Sequence, residues 1–145
     1  MQDLNRFIVA QKDYFKTALQ EIKSGKKKSH WMWYIFPQII GLGESYMSTY
    51  YAITDKQEAN DYLENEYLKN NLEEICAELL KLNTNNPQEI FGSIDSMKLK
   101  SSMTLFKEVS ENKEIFEKVL EKFFSKEEDE ITLEILKTKE KSKHL

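Results

Sequence analysis

The residues of this chain that could do chemistry gather in one stretch, "KKKSHWMWYIFPQ", positions 26 to 38. It holds Ser29, the internal histidine His30, both tryptophans (Trp31 and Trp33) and Gln38, directly after three lysines. Ser29 is placed to cap a short helix from His30 to Phe36, which Pro37 ends. An imidazole at a helix start is disfavoured as the cation, so a neutral ring that donates or accepts a proton is expected at His30. Helix-start N–H groups, the Ser29 hydroxyl and Lys26 to Lys28 together suit an anion. Trp31 and Trp33 offer a flat wall to a planar group. The competing reading is that the aromatic residues are core and the lysines a solvated face.

Two further places put polar residues where helical periodicity calls for apolar ones. Gln11 lies mid-arc in the first helix, either bonded to a loop carbonyl or pointing into a pocket. In "DSMKLKSSMTLFKEV", Asp95, Lys98 and Ser102 fall at spacings of three and four inside the arc of Leu99, Met103, Leu105, Phe106 and Val109. A buried Asp or Lys costs several kcal/mol unless paired. The pair therefore meets at the helix start or faces a cavity, and Ser102 either joins that line or lets two helices approach closely. Cys76 stands alone in an amphipathic stretch and reads as a small hydrophobe. With one internal histidine and one cysteine, neither a His cluster nor a cysteine-based zinc site is expected. The expectation is of no metal and no cofactor.

The elements that must position these groups are helical. Helices are expected from the cap at Asp3 to Gly25, from His30 to Phe36, from Tyr46 to Ile53 and, behind a capping box at Thr54 to Gln57, from Gln57 to Leu63. A longer one carries Leu68, Leu72, Ile75, Leu79 and Leu82. Asn86-Pro87 starts a turn or two ending at Gly92. Asp95 to Val109, a helix capped by Asn112, and a short last helix from Ile131 to Leu136 complete the chain. Four glycines, two prolines and no Asn-Gly or Asp-Gly pair argue against sheet. The reading is all-α: a compact single domain over 1–136, about seven helices with little or no sheet, and a polar tail over 137–145 expected to fray.

Net charge is -4 and Arg6 is the only arginine among 21 basic residues. Both disfavour nucleic acid as the main partner. A lone cysteine, no leader-like start and no long apolar run point to the cytoplasm and away from membranes.

"DLNRFIVAQ", "SHWMWYIFPQ", "GLGES" and "IFGSIDSMKLKSSMTLF", in that order, resemble the bacterial domain of unknown function 1810 family from Asp3 to about Leu136. Some members carry the label calpastatin, a misassignment. The resemblance implies a small helical domain and brings no established activity. The residues matching its motifs include Gln11, Ser29, His30, Trp31, Trp33, Gln38, Gly41, Gly43, Asp95, Lys98, Ser101 and Ser102. A looser analogy of general character is to small helical domains of the NADAR type, which act on ADP-ribose derivatives.

The leading functional expectation is a domain that binds or processes a small anionic, nucleotide-derived (ADP-ribose-like) ligand. His30 would be its acid, base or contact residue and Lys98 would neutralise charge. Gln11, Gln38 and Asp95 would orient the ligand, Ser29 and Ser102 would line the pocket, and Trp31 or Trp33 would stack. One alternative is a protein-interaction or regulatory module without chemistry, in which the polar residues satisfy one another. A further alternative is an RNA-binding accessory protein using Lys26 to Lys28.

Overall fold

The computed structural model describes residues 3–143, with side chains through Lys141; His144 lies outside the described residues. Among them are eight helices: α1 Asn5–Lys23, α2 Met32–Ile35, α3 Tyr46–Tyr50, α4 Lys56–Glu64, α5 Glu66–Lys81, α6 Pro87–Val109, α7 Glu114–Phe124 and α8 Glu130–Lys143. Extended pairing is confined to one parallel bridge between Ile39 and Ile53. The all-α expectation holds.

Each long helix buries one stripe. Phe7, Ala10, Phe15, Ala18 and Ile22 line the core side of α1, and Leu68, Leu72, Ile75, Cys76 and Leu79 that of α5. These two helices pack together, α5 packs on α7, and α6 lies against α4, α7 and α8. Cys76 sits fully buried with its Sγ 3.7 Å from Met103 Sδ. Burial pushes its thiol well above the usual range, so it is inert packing.

Arg6 is interior. Its guanidinium forms a bidentate pair with Glu58 and donates to the carbonyls of Asp3, Tyr50 and Ala52. That pairing leaves the buried charge neutralised and fully bonded, and it ties α1 to α4 and to the end of α3.

Several boundaries differ from expectation. Ser29 does not cap a helix from His30: α2 is one turn whose first residue is Met32, with no side-chain cap. The Tyr46 helix stops at Tyr50, because Ala52 and Ile53 leave it for the bridge, where Ile53 N–H donates to Gln38 O and Ile40 N–H to Ile53 O. Asp55, not Thr54, caps α4, accepting from Glu58 N–H. The last helix does not end at Leu136 but runs to Lys143. Its start is fixed by Asp129, whose Oδ2 accepts from both the amide and the hydroxyl of Thr132.

The break that matters for the candidate site is at Gly92. Asn86 caps the first arm of α6, accepting from Gln88 N–H. Gly92 then takes φ 78° and ψ 172°, a conformation that strains any residue with a Cβ. The chain changes direction there, and the second arm starts with Asp95 and Lys98 beside the segment that carries the tryptophans.

Candidate functional site

Residues 24–31 form a loop held by one carboxylate. Glu21, on the last turn of α1, accepts from Lys28 N–H at 2.7 Å, Ser29 N–H at 2.9 Å, Trp31 Nε1–H at 2.9 Å and the Ser29 hydroxyl at 2.6 Å. Burial alone would raise its pKa. The Ser29 hydroxyl, the two amides and the indole outweigh that and hold it down at about 2. Ser29 and Trp31 are thereby committed to the fold. Trp31 is 1% exposed and its ring packs on Phe36 and Phe91.

The same loop meets α6. Lys27 N–H donates to Ile90 O at 2.8 Å. Lys27 Nζ donates to Ser29 O, lies 2.9 Å from Asp95 Oδ2, and sits 5.1 Å from the Trp31 ring centre. The second Asp95 oxygen has a longer contact, 3.5 Å, to Lys98 Nζ. Lys98 Nζ in turn lies 5.0 Å over the Trp33 ring. Trp33 is partly buried, less completely than Trp31, and its Nε1–H is buried without a hydrogen-bond partner. A short α2 explains this: its single turn buries Met32, Tyr34 and Ile35 and leaves Trp33 on the open side.

His30 joins Ser29 to Trp31 and is exposed. It precedes α2 by two residues, so the helix-start argument for its ring does not apply. Among the described residues none hydrogen-bonds the ring; only its carbonyl is approached, by the Tyr34 hydroxyl at 3.5 Å.

Gln11 is bonded and buried, but the carbonyl it meets is in α2, not in a loop. Its amide donates to Tyr34 O at 2.8 Å and to the Tyr62 hydroxyl at 2.9 Å, and its Oε1 accepts from Asn71 at 3.0 Å. At 2% exposure it bolts α1 to α2, α4 and α5. Gln38 serves the bridge through its backbone carbonyl. Ser102 is fully buried with its hydroxyl unpartnered, deep in the second arm of α6.

The structure thus brings Trp33, Asp95 and Lys98 together, leaves His30 exposed in the adjoining loop, and commits Gln11, Ser29 and Trp31 to the scaffold. Glu21 and Lys27, which organise the loop, were not singled out from sequence for these roles. The available signal was Glu21 at the end of an amphipathic helix, followed closely by a lysine-rich loop. Around the face, Lys26, Lys27, Lys28 and Lys98 outnumber Glu21 and Asp95, in a chain that is acidic as a whole. Among the described residues no group of His, Cys, Asp and Glu could hold a metal ion, and no helix is long and apolar enough to cross a membrane.

The chain is similar to a solved structure, that of the conserved hypothetical protein Rv1873 from Mycobacterium tuberculosis. The two share 36% identity at a TM-score of 0.90, over 92% of this chain and 96% of that one. No curated protein matches the chain. The model of the family described as "Protein of unknown function (DUF1810)" matches residues 1–136, and the chain belongs to that family.

Proposed function

We propose that this domain binds a small anionic ligand that carries a flat ring, of the nucleotide or ADP-ribose-like class, at Trp33 and Lys98, with His30 of the adjoining loop as a further contact. The observation that carries the reading is the state of Lys98. Asp95 already holds Lys27 at 2.9 Å and reaches Lys98 only at 3.5 Å. Lys98 is therefore a cation with incomplete neutralisation, poised over an aromatic ring that is itself partly exposed. A phosphate supplies the missing charge, and a base or similar ring finds an aromatic neighbour. The exposed Lys26 and Lys28 strengthen the local field for an anion. The buried Trp33 N–H without a partner costs about 1–3 kcal/mol, the kind of incomplete bonding that accompanies functional sites.

Binding is favoured over catalysis. A histidine that acts as general acid or base is oriented by a bond to its second ring nitrogen, and His30 has none among the described residues. Glu21 is held ionised by four donors and faces the loop.

Thermal-shift and tryptophan-fluorescence titrations with ADP-ribose, inorganic phosphate and ribose test the reading. ADP-ribose should raise Tm and perturb Trp33 emission. Lys98→Ala should abolish both effects, and His30→Ala should weaken them without unfolding the protein. No response of the wild type to any of the three, or equal responses in the folded variants, would overturn it.

A further inference from the structure

A second surface lies away from the tryptophan face, where α5 and α7 pack side by side. Their junction leaves a trough of about 550 Å³. Its floor is Ala77 and Leu80 of α5 and Ile115 of α7, all half-buried, so the packing of the two helices leaves apolar surface uncovered. Its rim is acidic. Glu73 and Glu74 form no ion pair among the described residues, and Lys118 within the trough is already neutralised by Glu114 at 2.8 Å.

The trough continues. A neighbouring groove of about 290 Å³ shares Glu73 and Asn112 with it, and there Leu63, Val109 and Phe116 supply apolar surface. Glu64 and Glu111 flank this extension against Lys69. Along the whole run carboxylates outnumber lysines.

We infer that this trough docks a basic amphipathic helix from another protein. Charge selects the class. Anionic bilayers and nucleic acids are repelled by an acidic rim, whereas lysines flanking an apolar stripe meet it directly. Shape selects the helix. The α5 wall presents Asn70, Glu73, Glu74, Ala77 and Leu80, a stripe at helical spacing, and the complementary surface is a stripe of apolar side chains at i, i+3, i+4 and i+7. The stretch of α5 that lines the trough, Asn70 to Leu80, gives a wall about 16 Å long, room for three turns of a partner helix.

The test uses the whole chain and two synthetic peptides of about 16 residues, long enough to span that wall with a flank at each end. One is a fluorescein-labelled leucine-lysine amphipathic helix. The other has the same composition rearranged so that no apolar face forms. Fluorescence anisotropy should show the amphipathic peptide binding at least about tenfold more tightly than the rearranged one. The double variant Glu73→Lys, Glu74→Lys should lose about tenfold or more in affinity, with unchanged circular dichroism. Ala77→Arg, which fills the trough without adding to the acidic rim, should do the same. Backbone amide shifts should cluster around Ala77, Leu80 and Ile115. Equal binding of both peptides, unaffected binding in the folded variants, or shifts centred elsewhere would overturn the inference. So would sedimentation showing that a second copy of the chain occupies this face.

Discussion

Trp31 and Trp33 stand two residues apart, each with a lysine ammonium about 5 Å from its ring, and they have opposite fates. Trp31 is sealed in the core, and its N–H is one of four donors on Glu21. Lys27 above it is doubly engaged, with Asp95 and with Ser29 O. Trp33 is partly exposed, its N–H has no partner, and Lys98 above it has only a long contact to Asp95. One half of the motif is saturated and the other is not. Residue type therefore does not separate scaffold from candidate site here. Completeness of bonding does.

The largest expected effect is in the core half. Trp31→Ala should cost about 3–5 kcal/mol in urea unfolding, since it empties a packed aromatic site and strips Glu21 of a donor. Trp33→Ala should cost clearly less, about 1–2 kcal/mol, because part of the side chain is already in water. Trp33→Phe sharpens the contrast: it removes the orphan N–H and should fall within about 1 kcal/mol of wild type. Equal costs for the two alanine variants would break the distinction.

Next in size is the carboxylate that makes the saturated half. Glu21→Ala leaves two backbone amides and the Trp31 indole without their acceptor, at an expected cost of about 2–3 kcal/mol. Titration gives the same contact a pH signature. The folded pKa, about 2, lies below the ordinary value of 4.5. The unfolded state therefore binds the proton first as pH falls. The stabilisation is fully present above about pH 4.5 and is lost as pH drops through about 2. Discounted for the solvent-facing side of the group, this is about 1–2 kcal/mol. Urea midpoints measured from pH 5 to pH 2 should fall less steeply in Glu21→Gln than in wild type. Parallel curves would remove Glu21 from its hub.

These contacts also mark where the sequence was legible. Periodicity located α1 and α5, and the Asn86 cap with Gly92 located the break in α6, because each follows from local spacing and backbone freedom; the cap expected at Asp3 is replaced by Leu4, which makes no side-chain bond. Gln11 was legible as a polar residue on an apolar arc; that it is bonded and buried was one of two named outcomes, but its carbonyl partner lies in α2 and not in a loop. The loop between α1 and α2 was not legible. Ser29 has the right chemistry for a cap, but Glu21, eight residues earlier, outcompetes the helix for its hydroxyl and amide, and α2 starts later as a result. That competition is tertiary and leaves no local pattern. The end of α8 was missed for a related reason: "KTKEKSK" has no apolar stripe to signal a helix, yet its residues are compatible with continuing one already started at Asp129.

The smallest stability effect should come from the residue on which the proposed function rests most. Lys98→Met keeps the alkyl stem that covers the Trp33 ring and removes the charge. Asp95 retains Lys27 at 2.9 Å, so no buried carboxylate is left bare. What is lost is a cation–π contact worth about 0.5–1 kcal/mol at a partly exposed site, and a long ion pair worth no more. Methionine recovers part of that through its sulfur on the ring. Urea unfolding should therefore place Lys98→Met within about 0.5 kcal/mol of wild type. Asp95→Asn, which weakens the partner of Lys27 as well, should cost more. If Lys98→Met were instead the more damaging of the two, Lys98 would belong with Lys27 in the scaffold, and the division between the saturated and the open half of the motif would fail at the residue that defines it.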